Sequence, residues 1–202
     1  EECTPGYYNN GGCTDAVGYY YPVEDPFSVE SDVEGKDKVD LFTASLNYTH
    51  DFGDISLVSI TAWQQVDRNA LENTDASPLQ MLQATYIGSQ DTYTQELRLQ
   101  NDEGPAKWVV GVYYMNDEIR NSSSYDILRM LRPLFTTPEN PTGVSPENSV
   151  IVLGYPYTQK TEGYAIFSQL DYELNDKLTL TGGLRWSQDD KSLDYTRLAE
   201  GS

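Results

Sequence analysis

The sequence predicts an all-β chain, read as a section of an antiparallel transmembrane β-barrel of about six strands in three hairpins. Three observations predict it. Apolar and polar residues alternate with a period of two over segments of roughly 12 to 15 residues, where globular strands average about 5 to 6 and a tilted membrane strand needs about 9 to 11. Connections are alternately short and long, the layout of a barrel with short periplasmic turns and long extracellular loops. Tyrosine is abundant, at 16 of 202 residues, and its apolar ring and polar hydroxyl suit a boundary between water and grease.

The first hairpin reads KVDLFTASLNYTH, a turn around Asp51 to Asp54, then DISLVSITAWQQVDR. In its first strand Phe42, Ala44, Leu46 and Tyr48 share one parity, and Thr43, Ser45 and Asn47 the other. In its second strand Val58, Ile60 and Ala62 oppose Ser59 and Thr61, but Leu57 and Trp63 spoil the phase. The second hairpin reads DTYTQELRLQ, NDEGPA, KWVVGVYYMNDEIR. Tyr93, Leu97 and Leu99 oppose Thr94, Glu96, Arg98 and Gln100, with Gln95 an exception on the apolar side. The return strand is apolar on both parities from Trp108 to Met115, so its phase is open. The third hairpin reads KTEGYAIFSQLDYEL, a turn at Asn175-Asp176, then KLTLTGGLRWSQDDK. Val, Ile, Thr, Tyr and Trp in alternation are strand signals.

These hairpins occupy residues 38–191. Residues 1–37 read as an acidic, tyrosine-rich extracellular loop, and 192–202 as the start of the next. Long loops are expected near 69–89 and 121–159, the second holding five of the ten prolines. Within it, Ile127, Met130, Leu131, Leu134 and Phe135 follow helical spacing in YDILRMLRPLF, with Pro133 limiting the helix to about two turns.

The alternation alone fits an open β-sandwich as well as a barrel, because a charge facing water costs nothing in either. Strand length decides for the barrel. Its lipid-facing wall is then Leu46, Leu97, Leu99, Ile166, Leu170, Leu178, Leu180, Leu184 and Trp186. Its lumen-facing set is Glu96, Arg98, Gln169, Asp171, Glu173, Thr179, Thr181 and Arg185. Tyr48, Trp108, Tyr172 and Trp186 are placed to form interface girdles. Single-chain membrane barrels begin at eight strands, so the chain is expected to be a section of a larger barrel rather than an oligomer subunit. Its first residue is Glu, with no basic-then-apolar leader ahead of it, which reads as a processed or partial chain.

The balance of 13 basic and 32 acidic residues, net charge −19, argues against nucleic acid, which needs clustered Lys and Arg. No run of 18 apolar residues offers a spanning helix. Cys3 and Cys13 flank a short Gly/Asn-rich loop and read as a disulfide. Tyr7, Tyr8, Tyr19, Tyr20 and Tyr21 are candidate ligand contacts, against the blander reading that they pack the loop. No catalytic residue, metal site or cofactor is expected. His50, the single histidine, has no partner set for metal or triad work. The Asp189-Asp190 and Asp171/Glu173 pairs are more simply lumen and strand-tip charges than glycosidase carboxylates.

SLVSITAWQQVDR, QDTYTQELRLQND with WVVGVYYMND, and EGYAIFSQLDYELNDKLTLTGGLRWSQDDK, in this order, resemble the mid-barrel region of TonB-dependent outer-membrane receptors. The resemblance covers most of residues 38–191. It implies a plugged barrel of about 22 strands in the bacterial outer membrane, not an enzyme, importing a scarce solute such as a siderophore, a vitamin or a glycan. The implied partners are outer-membrane lipid and lipopolysaccharide, the rest of the barrel and its plug, the TonB system acting through that plug, and an unidentified small ligand. No plug or TonB box is visible here. Two competing readings are a passive porin-like or oligomeric barrel, and a soluble secreted carbohydrate-binding β-sandwich.

Overall fold

In a computed structural model, which describes residues 19, 30–75 and 77–199, the chain forms one antiparallel sheet. Its strands are β1 (Lys36–Asp51), β2 (Ser56–Asn73), β3 (Leu82–Asn101), β4 (Ala106–Ile127), β5 (Val152–Asn175) and β6 (Leu178–Tyr195), paired in sequence order. A short β7 (Leu198–Ala199) pairs with β5 beyond the end of β6. The six main strands run from 16 to 24 residues, well past the roughly 9 to 11 that cross a bilayer.

Three tight turns close one end, at residues 52–55, 102–105 and 176–177. Their chemistry is local. Gly53 and Gly104 take positive φ, of 84° and 73°, which a residue with a Cβ adopts only at a cost. The Asn101 and Asn175 side chains accept from the backbone N–H two residues on, at 2.7 and 3.0 Å, fixing each turn as an Asx turn.

At the other end the strands run further than the sequence predicts. β2 continues to Asn73 and β3 starts at Leu82, so the connection expected over 69–89 shrinks to 74–81. The loop expected over 121–159 is 128–151, and residues 192–195 extend β6 rather than opening a loop. The cause is that in these extensions Asn, Gln, Ser, Thr and charged residues occur on both faces, interspersed with tyrosines and aliphatics. Alternation vanishes where both sides are wet, and the strand signal with it. The helix expected in YDILRMLRPLF is a short 3₁₀ turn, Arg129–Leu134. Ile127 belongs to β4, and Leu128 turns the chain with a left-handed φ of 51°.

Among the described residues no strand pairs with the outer edge of β1 or of β6. Unpaired strand edges are tolerated in water and excluded from hydrocarbon. A soluble sandwich would need a second sheet over one face, and the described strands form only one.

Candidate functional site

The register sorts every strand residue onto one of two faces. On the first lie Leu46, Leu97, Leu99, Ile166, Leu170, Leu178, Leu180, Leu184 and Trp186. On the second lie Glu96, Arg98, Gln169, Asp171, Glu173, Thr179, Thr181 and Arg185. The two groups never mix. The strand residues buried in this single sheet, Val58, Ala70, Ala84, Gly111, Asp117, Thr161, Gly163 and Ala165, all belong to the second face. A sheet that curls crowds side chains on its concave side and splays them on its convex side, so the second face is the inner one. Leu180 and Leu184 on the outer face are 63% and 81% exposed.

The outer face is built in bands. Phe42, Trp63, Tyr93, Tyr114 and Tyr164 form a belt across five strands. Ring centroids are 5.4 Å apart for Phe42–Trp63, 6.3 Å for Tyr93–Tyr114 and 5.2 Å for Tyr114–Tyr164. Trp186 continues it on β6, opposite Ile166. Toward the turns comes a zone of Leu, Val and Ile. Tyr48, Trp108 and Tyr172 lie at its lower margin. Along β6 the zone from Leu178 to Trp186 is about 20 Å high at ~3.3 Å per residue and ~45° tilt, close to the ~25 Å band of a membrane barrel. Above the belt the outer face turns polar and acidic at once, with Asp40, Asp67, Asp91, Glu118, Glu162 and Asp190 on successive strands.

Both exceptions noted in the sequence resolve here. In β2 the outward set is Leu57, Ser59, Thr61 and Trp63, so Val58, Ile60 and Ala62 face inward. The polar Ser59, Thr61 and Gln95 bond one another inside the apolar zone: Thr61 Oγ1 donates to Gln95 Oε1 at 2.6 Å, and Gln95 Nε2 donates to Ser59 Oγ at 3.0 Å. Bonding one another, these side chains leave fewer polar groups unsatisfied in that zone. In β4, Trp108, Val110, Val112 and Tyr114 point outward, and Val109, Gly111, Tyr113 and Met115 inward.

On the inner face several charges are paired. Lys107 donates to Glu173 at 2.8 Å, and Arg98 reaches Glu96 at 3.4 Å. Asp117 accepts from Gln90 and Thr92 at 2.8 and 2.6 Å. The Arg185 guanidinium lies over the rings of Phe167 and Tyr113, at 5.8 and 5.9 Å. Phe167 reaches this position because Gly111, its neighbour on β4, has no side chain: a Cβ there would overlap the ring. Gly111→Ala is therefore expected to push Phe167 off Arg185 and cost about 1 to 3 kcal/mol. The check is the urea midpoint of the heat-modifiable gel band, and an unchanged midpoint would mean that the ring swings aside freely.

The inner face holds a second feature at the loop end. Tyr86, Tyr125, Tyr155, Tyr157 and Tyr195 all project from it. Tyr86 and Tyr125 meet edge to face at 6.2 Å, and Tyr125 and Tyr155 at 5.9 Å. Tyr157 is paired with Tyr195 across β5 and β6. With Leu82 and Ile127, four of these tyrosines line an open hollow of about 630 Å³.

The TonB dependent receptor-like, beta-barrel family matches residues 4–200. The chain belongs to the TonB-dependent receptor β-barrel family. Among solved structures it is similar to the ferric yersiniabactin uptake receptor FyuA from Yersinia pestis, at 24% identity and a TM-score of 0.59 over 83% of this chain and 22% of that one. It also matches the ferric citrate transporter FecA in its unliganded form, at 15% identity and a TM-score of 0.48 over 82% of this chain and 23% of that one. The chain thus spans under a quarter of the receptors it matches.

Membership of this family gives the two faces and the loop end their context. Of the ligand contacts expected from sequence, only Tyr19 lies within the described residues, where its hydroxyl donates to Glu30 at 2.6 Å. Tyr7, Tyr8, Tyr20, Tyr21 and the Cys3–Cys13 pairing lie outside them. The tyrosines that the fold does bring together were missed. They come from four strands, and their parity was hidden where both faces are polar. A signal existed in YPY, residues 155–157, which places two tyrosines on one face of a strand. His50 stacks on Tyr48 and meets Phe52 edge to face at the turn end, at centroid distances of 6.4 and 4.5 Å, a packing role.

Proposed function

We propose that this chain supplies consecutive strands of an outer-membrane receptor that imports a scarce small solute, driven by TonB through a plug in the lumen. The observation that carries the reading is membership of the TonB-dependent receptor family over residues 4–200. The geometry supports it. A face of leucines bounded by aromatics suits lipid, with the acidic zone above the belt at the level of lipopolysaccharide headgroups and their counter-ions. The free edges of β1 and β6 call for further strands to close the wall. The paired charges on the inner face suit a wet or plugged lumen, and solute is met at the loop end.

The test uses the full-length protein, purified in detergent, and the periplasmic domain of TonB. A saturable complex is expected, and liposomes carrying the receptor should stay closed to arabinose. Failure to bind TonB together with rapid, arabinose-driven liposome swelling would replace this reading with a passive pore.

A further inference from the structure

The loop-end tyrosines and their surroundings say what kind of solute this mouth accepts, an inference that rests on the import reading above. The hollow is lined chiefly by rings and aliphatic carbons, the composition of a site that binds by burying an apolar body and orienting it with a few polar groups. The rings are not coplanar: Tyr86 and Tyr125 meet at 90°, Tyr125 and Tyr155 at 70°. Such a wall offers both faces and edges to a flat ring laid against it. The polar groups it presents are four phenol hydroxyls and the Ser123 hydroxyl, with Tyr86 hydrogen-bonded to Tyr125 beside it.

Charge narrows the class. Arg68, on the inner face beside the tyrosines, gives Nε and Nη2 to the two carboxylate oxygens of Asp37 at 3.0 and 2.8 Å. In the loops above, Arg129 is held by Asp32 at 2.7 Å and Arg132 by Asp126 at 2.6 Å. Among the described residues, two further charges lie on the inner parity at this level. Glu72 is paired in register with Ala84 beside Tyr86, and Arg197 follows Tyr195 between the β6 and β7 pairings. They are of opposite sign, Glu72 on β2 and Arg197 beyond the end of β6. A polyanionic chelate would also enter against a chain of net charge −19.

We propose that Tyr125, Tyr155, Tyr157 and Tyr195 form a binding wall for an uncharged aromatic ligand bearing hydroxyl groups, a neutral phenol in chemical class. Its ring packs on the tyrosine faces and its hydroxyls exchange hydrogen bonds with theirs.

The test is saturation-transfer NMR on the full-length receptor in detergent, with three probes: 4-hydroxybenzyl alcohol, its anionic counterpart 4-hydroxybenzoate, and maltotriose. Transfer to the ring protons of the neutral phenol is expected, with the carboxylate at least fivefold weaker and maltotriose silent. The Tyr125→Ala/Tyr155→Ala double variant should weaken phenol binding about tenfold, while Tyr125→Phe, which keeps the ring, should lose no more than threefold. Heat-modifiable gel mobility confirms that each variant has assembled. Stronger binding of the carboxylate or of maltotriose, or undiminished binding by the assembled double variant, overturns the proposal. The outcomes separate from those of the import reading: a receptor that binds TonB but not the phenol loses only the wall, and one that binds the phenol but not TonB loses only energised uptake.

Discussion

Leu180→Arg blocks assembly of the full-length barrel in the outer membrane, and Thr181→Arg does not. Adjacent residues on one strand differ this much because the register sends them to opposite faces. Leu180 is 63% exposed on the convex face, within the zone between the aromatic margins. An arginine there meets hydrocarbon, at about 2 to 4 kcal/mol for a midplane position. Thr181 lies on the concave face opposite Asp171, where a new guanidinium gains a carboxylate partner. The readout is the amount of protein in washed outer membranes that shows heat-modifiable mobility. Equal yields for the two variants would remove the inside–outside assignment.

Arg129→Ala frees the loops while leaving the wall in place. Asp32 is only 9% exposed, and Arg129 binds it at 2.7 Å while a second guanidinium nitrogen donates to Gln83 at 2.7 Å. Asn73 also donates to Asp32, at 2.9 Å. One arginine thus ties together the segment before β1, the start of β3 and the long β4–β5 connection. The backbone adds to the tie, Met130 donating its N–H to Gln80 at 3.0 Å. Removing one partner strands a shielded carboxylate, which costs about 3 to 5 kcal/mol for a fully buried pair. With Arg129 27% exposed, about 2 kcal/mol is the expected local loss. The effect belongs to the loops, because the strand pairings below do not involve this pair. Hydrogen exchange in residues 74–81 and 128–135 should accelerate about thirtyfold, with exchange in the strands between belt and turns unchanged. Unaltered loop exchange would show that the backbone bonds alone hold this cap.

The two faces of the sheet were legible in the sequence where one parity of a strand is apolar and the other polar. Leu178, Leu180 and Leu184 against Thr179, Thr181 and Arg185 is such a stretch, and the register keeps those groups apart. Legibility failed in two physical situations. In β4 both parities are apolar, because Val109, Gly111 and Tyr113 pack on the inner face against Phe167 and Arg185. Above the belt both parities mix polar residues with others, so Ser122, Ser123 and Ser124 read as loop although they pair with Pro156, Tyr155 and Gly154. The aromatic belt escaped for a third reason. Its members sit at a common height only once the stagger between strands is known, and sequence spacing does not carry that stagger. The loop-end tyrosines escaped in the same way.

The central claim is that the face carrying Leu180 and Leu184 meets lipid while that carrying Thr181 and Arg185 meets a wet or plugged interior. The most direct measurement places a nitroxide label on single cysteines at positions 180 and 181 of the full-length receptor in a bilayer, and compares collisions with oxygen and with a polar nickel chelate. Oxygen should dominate at 180. At 181 the ratio should reverse, or neither reagent should reach the label if a plug covers it. Oxygen dominating equally at both positions would contradict the account.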